Sequence, residues 1–242
     1  MSAPQFLVPA LPLTDVFALD GAEGHHAATV QRLRVGEPLL LCDGRGNTAH
    51  AVVTAVGRGT LDVRIVSRDY EQPADPRLVV VQGLAKGDRG ELAVQAMTEV
   101  GVDAIVPWSA SRSVVQWRGD RGDRSRQRWV DTAREAAKQA RRAWLPDVGA
   151  AEATPTVAAR LARAASALVL HEEAKARLTT VELPESGEIV VVVGPEGGIA
   201  PEELAIFETA GALTVRVGPA VLRASTAGPA ALAVLDARLG RW

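Results

Sequence analysis

From Leu78 onward, short β-branched runs alternate with stretches of helical periodicity, and few architectures accommodate that rhythm. Leu78–Gly83, Asp103–Trp108, Ser166–Leu170, Ile189–Val193 and Leu213–Val217 read as strands. Between and after them, Arg89–Val100, Arg126–Trp144, Ala158–Ala164, Pro201–Ala210 and Thr226–Leu239 read as helices. The punctuation agrees. Gly101 and Gly211 suit helix C-termini, Pro201 suits a first helical position, and Pro146 stops the long helix before it. Strands alternating with helices predict an α/β domain with a mostly parallel sheet. The earlier part of the chain is patterned differently. Pro38–Cys42, His50–Val56 and Leu61–Ser67 are short strand signals separated by the turn clusters Asp43–Asn47 and Gly57–Gly59. They predict a small β-barrel or open sheet. Glu71–Pro76 carries two prolines, each disfavouring helix at the residue before it, and reads as a linker. The expected division is residues 1–72 and 76–242.

Composition narrows the chemistry. Of 242 residues, 47% are hydrophobic and 23% charged, the balance of a globular chain with a sizeable core. The apolar stretch Phe6–Leu13 is broken by Pro9 and Pro12, lacks a basic lead, and is not expected to be a signal peptide. The one cysteine, Cys42, excludes an internal disulfide, and the cytoplasm is the expected compartment. The four histidines, His25, His26, His50 and His171, show no metal-ligand spacing with Asp or Glu, so no metal is expected.

The net charge of −2 conceals an asymmetry. Between Arg112 and Arg142 stand ten basic and four acidic residues, a net +6 that leaves −8 for the rest. Trp108, Trp117, Trp129 and Trp144 fall in or beside that segment. Cations interleaved with aromatics suit a nucleic-acid surface, where phosphates attract arginine and bases stack. The same pattern also describes a solvated helix whose tryptophans face a core.

Two glycine-punctuated loops carry the strongest chemical signal: Val190–Gly198 (VVVVGPEGG) and Val215–Gly228 (VRVGPAVLRASTAG). Each follows a strand signal and leads into a helix, and glycine lets a backbone approach a ligand closely. Neither matches a P-loop or a G-x-G-x-x-G fingerprint. Glu202 and Glu203 in the first turn after the first loop also disfavour phosphate there. A carboxylate in such a loop better matches hydroxyls or a cationic ligand, and S-adenosylmethionine presents both. A plain tight strand–helix turn is the competing reading of GPEGG.

The order of local motifs resembles the RsmE family of 16S ribosomal RNA methyltransferases, which act on N3 of one uridine near the decoding centre. The matching blocks are Lys86-Gly87-Asp88-Arg89, Gln95, Glu99–Val102, Pro107 and Arg112, then Glu135–Gln139 with Arg142 and Pro146. Gly194–Gly198 and Gly218–Arg223 are similar to that family's two cofactor loops, and His26, Val30 and Arg32 match it more loosely. The resemblance implies an N-terminal PUA-like β-barrel, a SPOUT-type methyltransferase domain with a trefoil knot, and a homodimer. It implies S-adenosyl-L-methionine held by Leu170 and His171, by Val193, Gly194, Gly197 and Gly198, and by Val217, Gly218, Val221 and Leu222. Arg223 is the expected stabiliser of charge on the uracil oxygens, and Glu196 the expected proton acceptor. Arg32, Lys86, Arg112, Arg121, Arg124 and Arg142 are expected to bind RNA, within an assembled small subunit. One residue departs from the pattern: Ser225 stands where many members carry an acid. Methylation of another RNA, such as a tRNA ribose, and a non-catalytic RNA-binding assembly factor are the alternatives.

Overall fold

The computed structural model describes residues 3–242. They fall into two compact units. One comprises the chain up to Pro73 together with Ala137–Leu145; the other comprises Ala74–Ala136 and Pro146–Trp242.

The first unit holds β1 (Gln5–Leu7), β2 (Val16–Leu19), α1 (Gly21–His25) running into a π-helical turn (His26–Val30), β3 (Pro38–Cys42), β4 (Asn47–Val56) and β5 (Leu61–Tyr70). The sheet order is β1-β3-β4-β5-β2, parallel between β1 and β3 and antiparallel elsewhere. Register shifts at His50/Ala51 and Val53/Ala55 curl the long β4–β5 pair, as bulges do. In β5 the residues Leu61, Val63 and Ile65 face the core while Asp62, Arg64 and Val66 face water, the period of two a one-sided sheet requires. Sequence patterning missed β1 and β2, which are only three and four residues long.

Ala137–Leu145 completes this unit. The Gly46 N–H donates to Ala143 O at 3.0 Å, the Gln5 amide to Arg142 O at 3.0 Å, and the Trp144 indole to Glu71 O at 2.9 Å. Lys138 Nζ meets Glu23 at 3.0 Å. The Cys42 thiol donates to Ala143 O at 3.4 Å; burial pushes its pKa up and keeps it a protonated donor.

The second unit holds β6 (Arg77–Gly83), α2 (Arg89–Val100), β7 (Ala104–Ser109), α3 (Gly119–Ala140, whose last four residues lie in the first unit), β8 (Asp147–Val148), β9 (Glu152–Ala153), α4 (Thr154–Leu161), β10 (Ser166–Leu170), β11 (Ala176–Arg177), β12 (Glu188–Val193), α5 (Pro201–Thr209), β13 (Leu213–Arg216) and α6 (Ala224–Arg238). Every strand pairing is parallel, in the order β11-β13-β10-β12-β6-β7-β8, with β9 also on β7. Both faces are covered. Leu78, Val80, Ile189 and Val191 pack with Met97, Trp129, Leu232 and Leu235; Val79, Val81, Val190 and Val192 pack with Val157, Leu161 and Phe207. That explains why β6 and β12 read as unbroken apolar runs: a parallel strand has no wet face.

The long helix departs from expectation at both ends. It begins at Gly119 rather than Arg126, because Trp117 folds back edge-on against buried Trp129 at 4.9 Å and Gly122 packs directly on the Trp117 backbone. It ends at Ala140 because Arg141 adopts φ +54°, a left-handed stop, well before Pro146. No helix among the described residues is long and apolar enough to cross a membrane.

Candidate active site

Three neighbouring parallel strands, β13, β10 and β12, carry their C-terminal loops to the same sheet edge. After β12 the chain passes β10 to reach β13, so the loops following these three strands gather at the C-terminal end of the sheet, where ligands of open α/β sheets usually sit. A cleft of about 650 Å³ fills this place. Leu170 and His171, the whole Val193–Gly198 loop, and Val217, Gly218, Val221, Leu222 and Arg223 line it. The predicted pocket residues are thus brought together, joined by Arg89, Arg112, Arg216, Glu172 and Glu173.

The glycines of the first loop serve packing more than ligand approach. A Cβ on Gly194 would lie 2.9 Å from Ile199 Cγ1, and one on Gly197 would lie 3.0 Å from Arg112 O. Across the loop, a Cβ on Gly83 would lie 2.6 Å from Pro195 N. Gly198 adopts φ +73°. Gly218 in the second loop is different: nothing lies within 4 Å of its Cβ position, so the main chain there opens on unfilled space.

Glu196 is tied down. Its carboxylate accepts the Lys86 N–H at 3.1 Å and the Arg89 guanidinium at 2.9 Å. Burial raises its pKa, but hydrogen bonds from its own backbone N–H, Lys86 and Arg89 outweigh that, and the net value lies below the ordinary one. A carboxylate so stabilised is a poor proton acceptor. The partners that hold it lie more than a hundred residues away in the chain.

Arg223 stands at the opposite extreme. It is the exposed N-cap of α6, lines the cleft, and its guanidinium has no hydrogen-bond or ion-pair partner among the described residues. Only its backbone is fixed: the Thr226 and Ala227 N–H groups both donate to Arg223 O at 2.9 Å. Ser225 behind it is buried.

Glu203, unlike Glu196, is buried, and sequence reasoning saw only its favourable place near a helix dipole. Glu203 accepts hydrogen bonds from the Ser111 N–H at 2.9 Å, the Ser111 hydroxyl at 2.8 Å, the Thr154 hydroxyl at 2.7 Å and the Ala200 N–H at 3.3 Å. Burial raises its pKa, and these donors together lower it further than burial raises it. Ser111 precedes Arg112, which crosses the first loop and donates to Gly197 O at 3.3 Å. No local signal identifies this hub, since Ser111 and Glu203 are 92 positions apart.

The predicted RNA residues are dispersed. Arg112 lines the cleft; Arg121 and Arg124 are exposed on α3; Lys86 is exposed before α2. Arg32, with φ +55°, and Arg142 belong to the first unit. The tryptophans resolve toward packing. Trp108 and Trp129 are buried, Trp108 edge-on to Phe207 at 5.2 Å, while Trp117 and Trp144 are half-buried. Packing against protein, rather than base stacking, accounts for the buried rings.

Comparison with known proteins agrees with this geometry. Residues 72–236 match the family model of the RNA methyltransferase domain, and residues 19–66 that of the RNA methyltransferase PUA domain. The chain is 46% identical over 247 aligned positions to ribosomal RNA small subunit methyltransferase E of Mycobacterium bovis, covering 100% of this chain and 94% of that one. Its namesake in Bacillus subtilis is 28% identical, covering 91% and 89%. The crystal structure of ribosomal RNA small subunit methyltransferase E from Neisseria gonorrhoeae, bound to S-adenosyl methionine, superposes with a TM-score of 0.86 at 27% identity, covering 98% of each chain. With a PUA-type segment, a parallel SPOUT-type sheet and a loop-built cleft, this chain belongs to the ribosomal RNA small subunit methyltransferase E family.

Proposed function

We propose that this chain is an S-adenosylmethionine-dependent methyltransferase that modifies N3 of a uridine in 16S ribosomal RNA. The observation that carries the reading is the cleft at β10, β12 and β13, where open main chain at Gly218 and an unpartnered guanidinium at Arg223 share one wall.

The cleft suits the methyl donor. Its volume of about 650 Å³ lies within the range of small-molecule sites. Leu170 and His171, Val193–Gly198 and Val217–Leu222 would hold the donor, largely through main-chain atoms. Bound there, S-adenosylmethionine supplies a methyl group on a positively charged sulfur. Uridine N3 is a weak nucleophile until its proton leaves, and the uracil oxygens then gain negative charge. Arg223 would balance that charge, a role usually among the largest catalytic contributions. Glu196, engaged by Arg89 and Lys86, holds the Lys86–Arg89 turn against the first loop, and the proton passes to water. The target base must be unpaired or flipped out, since pairing occupies N3.

Arg112, Arg121, Arg124 and Lys86, with Arg32 and Arg142 of the first unit, are the proposed contacts to RNA phosphate. The proposed setting is the cytoplasm, with a homodimer acting on the assembled small subunit through residues 1–72 as RNA-binding domain and 76–242 as methyltransferase domain. Mass spectrometry of 16S ribosomal RNA nucleosides from cells lacking the gene tests the reading. Loss of 3-methyluridine, restored by the gene, supports it. An unchanged 3-methyluridine content with loss of a ribose-methylated nucleoside would favour a different RNA target.

A further inference from the structure

Gln82 is fully buried near the end of β6, in register with Val193 of β12 on one side and Pro107 of β7 on the other. Such a position, covered on both faces, ordinarily takes an apolar residue. Its amide nitrogen donates at 3.3 Å to its neighbour's carbonyl, Gly83 O, and at 3.3 Å to Ala224 O across the domain. Its oxygen has no partner among the described residues and is buried beside Gly228 and Met97. Flipping the amide would set that oxygen against the two carbonyls, so the orientation is fixed.

A buried orphan acceptor is a cost that an apolar side chain of similar volume would avoid. What the chain gains in exchange is location. Ala224 directly follows Arg223, and its carbonyl is the point where β6 grips the start of α6. Gly83, the other acceptor, abuts Gly194 and Pro195 of the first loop. One side chain thus joins the strand beneath the cleft to the residue behind the unpartnered guanidinium.

We propose that Gln82 is a positioning residue for Arg223: its amide fixes the first turn of α6 so that the guanidinium stays over the cleft. The proposal rests on the methyltransferase reading of that cleft. It predicts that activity and stability respond in opposite directions. Gln82→Met keeps the volume and removes both the orphan oxygen and the amide. Its thermal midpoint is expected to equal or exceed that of the parent, with S-adenosylmethionine affinity by calorimetry within about twofold. Its kcat on small subunits from cells lacking the gene is expected to fall by about tenfold or more. The loss is expected to vanish in an Arg223→Ala background, because the residue being positioned is then gone. Gln82→Asn, with an amide one methylene too short to reach Ala224, is expected to lose activity like the Met variant. Unchanged kcat, an equal loss in both backgrounds, or a Met variant that is less stable or does not fold makes Gln82 a core strut and overturns the proposal. Failure of the parent protein to bind S-adenosylmethionine would instead overturn the reading of the cleft.

Discussion

The two glycine loops look alike in sequence and differ in almost every physical respect. Val193–Gly198 is closed on itself: its glycines make room for Ile199 and Arg112, and its acid is held by two donors. The 217–223 loop is open. Val221 is 76% exposed, Gly218 faces empty space, and the Arg223 guanidinium has no partner among the described residues. Glycine in a loop therefore marks two different needs, close packing of protein on protein and close approach of a ligand. Only the neighbours tell them apart. The first loop is packed protein on protein, and the second leaves main chain open to the cleft.

The sharpest test of that contrast is Arg223→Ala. Methyl transfer is expected to fall on the order of 10²-fold or more, as when one electrostatic stabiliser is lost. Cofactor affinity should stay within about twofold if, as proposed, the cation serves the uracil rather than the donor. Wild-type turnover in the variant would remove the second loop from the chemistry.

Gly218→Val sets the loops against each other at intermediate magnitude. Filling open space in the cleft is expected to weaken S-adenosylmethionine binding about tenfold with little change in thermal midpoint, an effect of order 1.4 kcal/mol. Gly194→Val should do the reverse. Its new side chain strikes Ile199, and overpacking of that kind costs about 1–3 kcal/mol of stability. Equal stability losses at both positions, seen by calorimetry and melting, would erase the distinction.

The smallest effect is expected at Glu196→Gln. The ion pair with Arg89 is partly exposed, worth about 1 kcal/mol at most, and kcat should change less than about fivefold. The pH dependence follows from the sign of the shift. Because the folded-state pKa of Glu196 is lowered, its stabilisation is present above the unfolded value of about 4.3 and fades as pH falls through the lower folded value. The Gln variant should therefore lose slightly less stability in acid than the parent. A hundredfold fall in kcat together with a vanished acidic limb in the pH–rate profile would reinstate Glu196 as the proton acceptor.

What could be read in the sequence was what local patterning encodes. Pro38–Cys42, Arg89–Val100 and Ser166–Leu170 coincide with their observed elements, since a buried strand or an amphipathic helix announces itself within a dozen residues. The pocket loops were legible for the same reason, as glycine-rich ends of apolar strands. The start of α3 was hidden because Gly119 and Gly122 are poor helix formers and Trp117 supplies the support. The link from Gln82 to Ala224 and that from Ser111 to Glu203 were invisible because they span 142 and 92 positions. The order of strands across the parallel sheet leaves no periodic trace, because it is set by contacts between distant segments.

The loan of Ala137–Leu145 to the first unit has a consequence for biosynthesis. Domains usually condense in order as they leave the ribosome. Here the nascent N-terminal sheet must wait, its Gly46 N–H and Gln5 amide without their eventual acceptors, until residue 145 has emerged. A chain cut after residue 73 would lack the same strap and leave those donors to water.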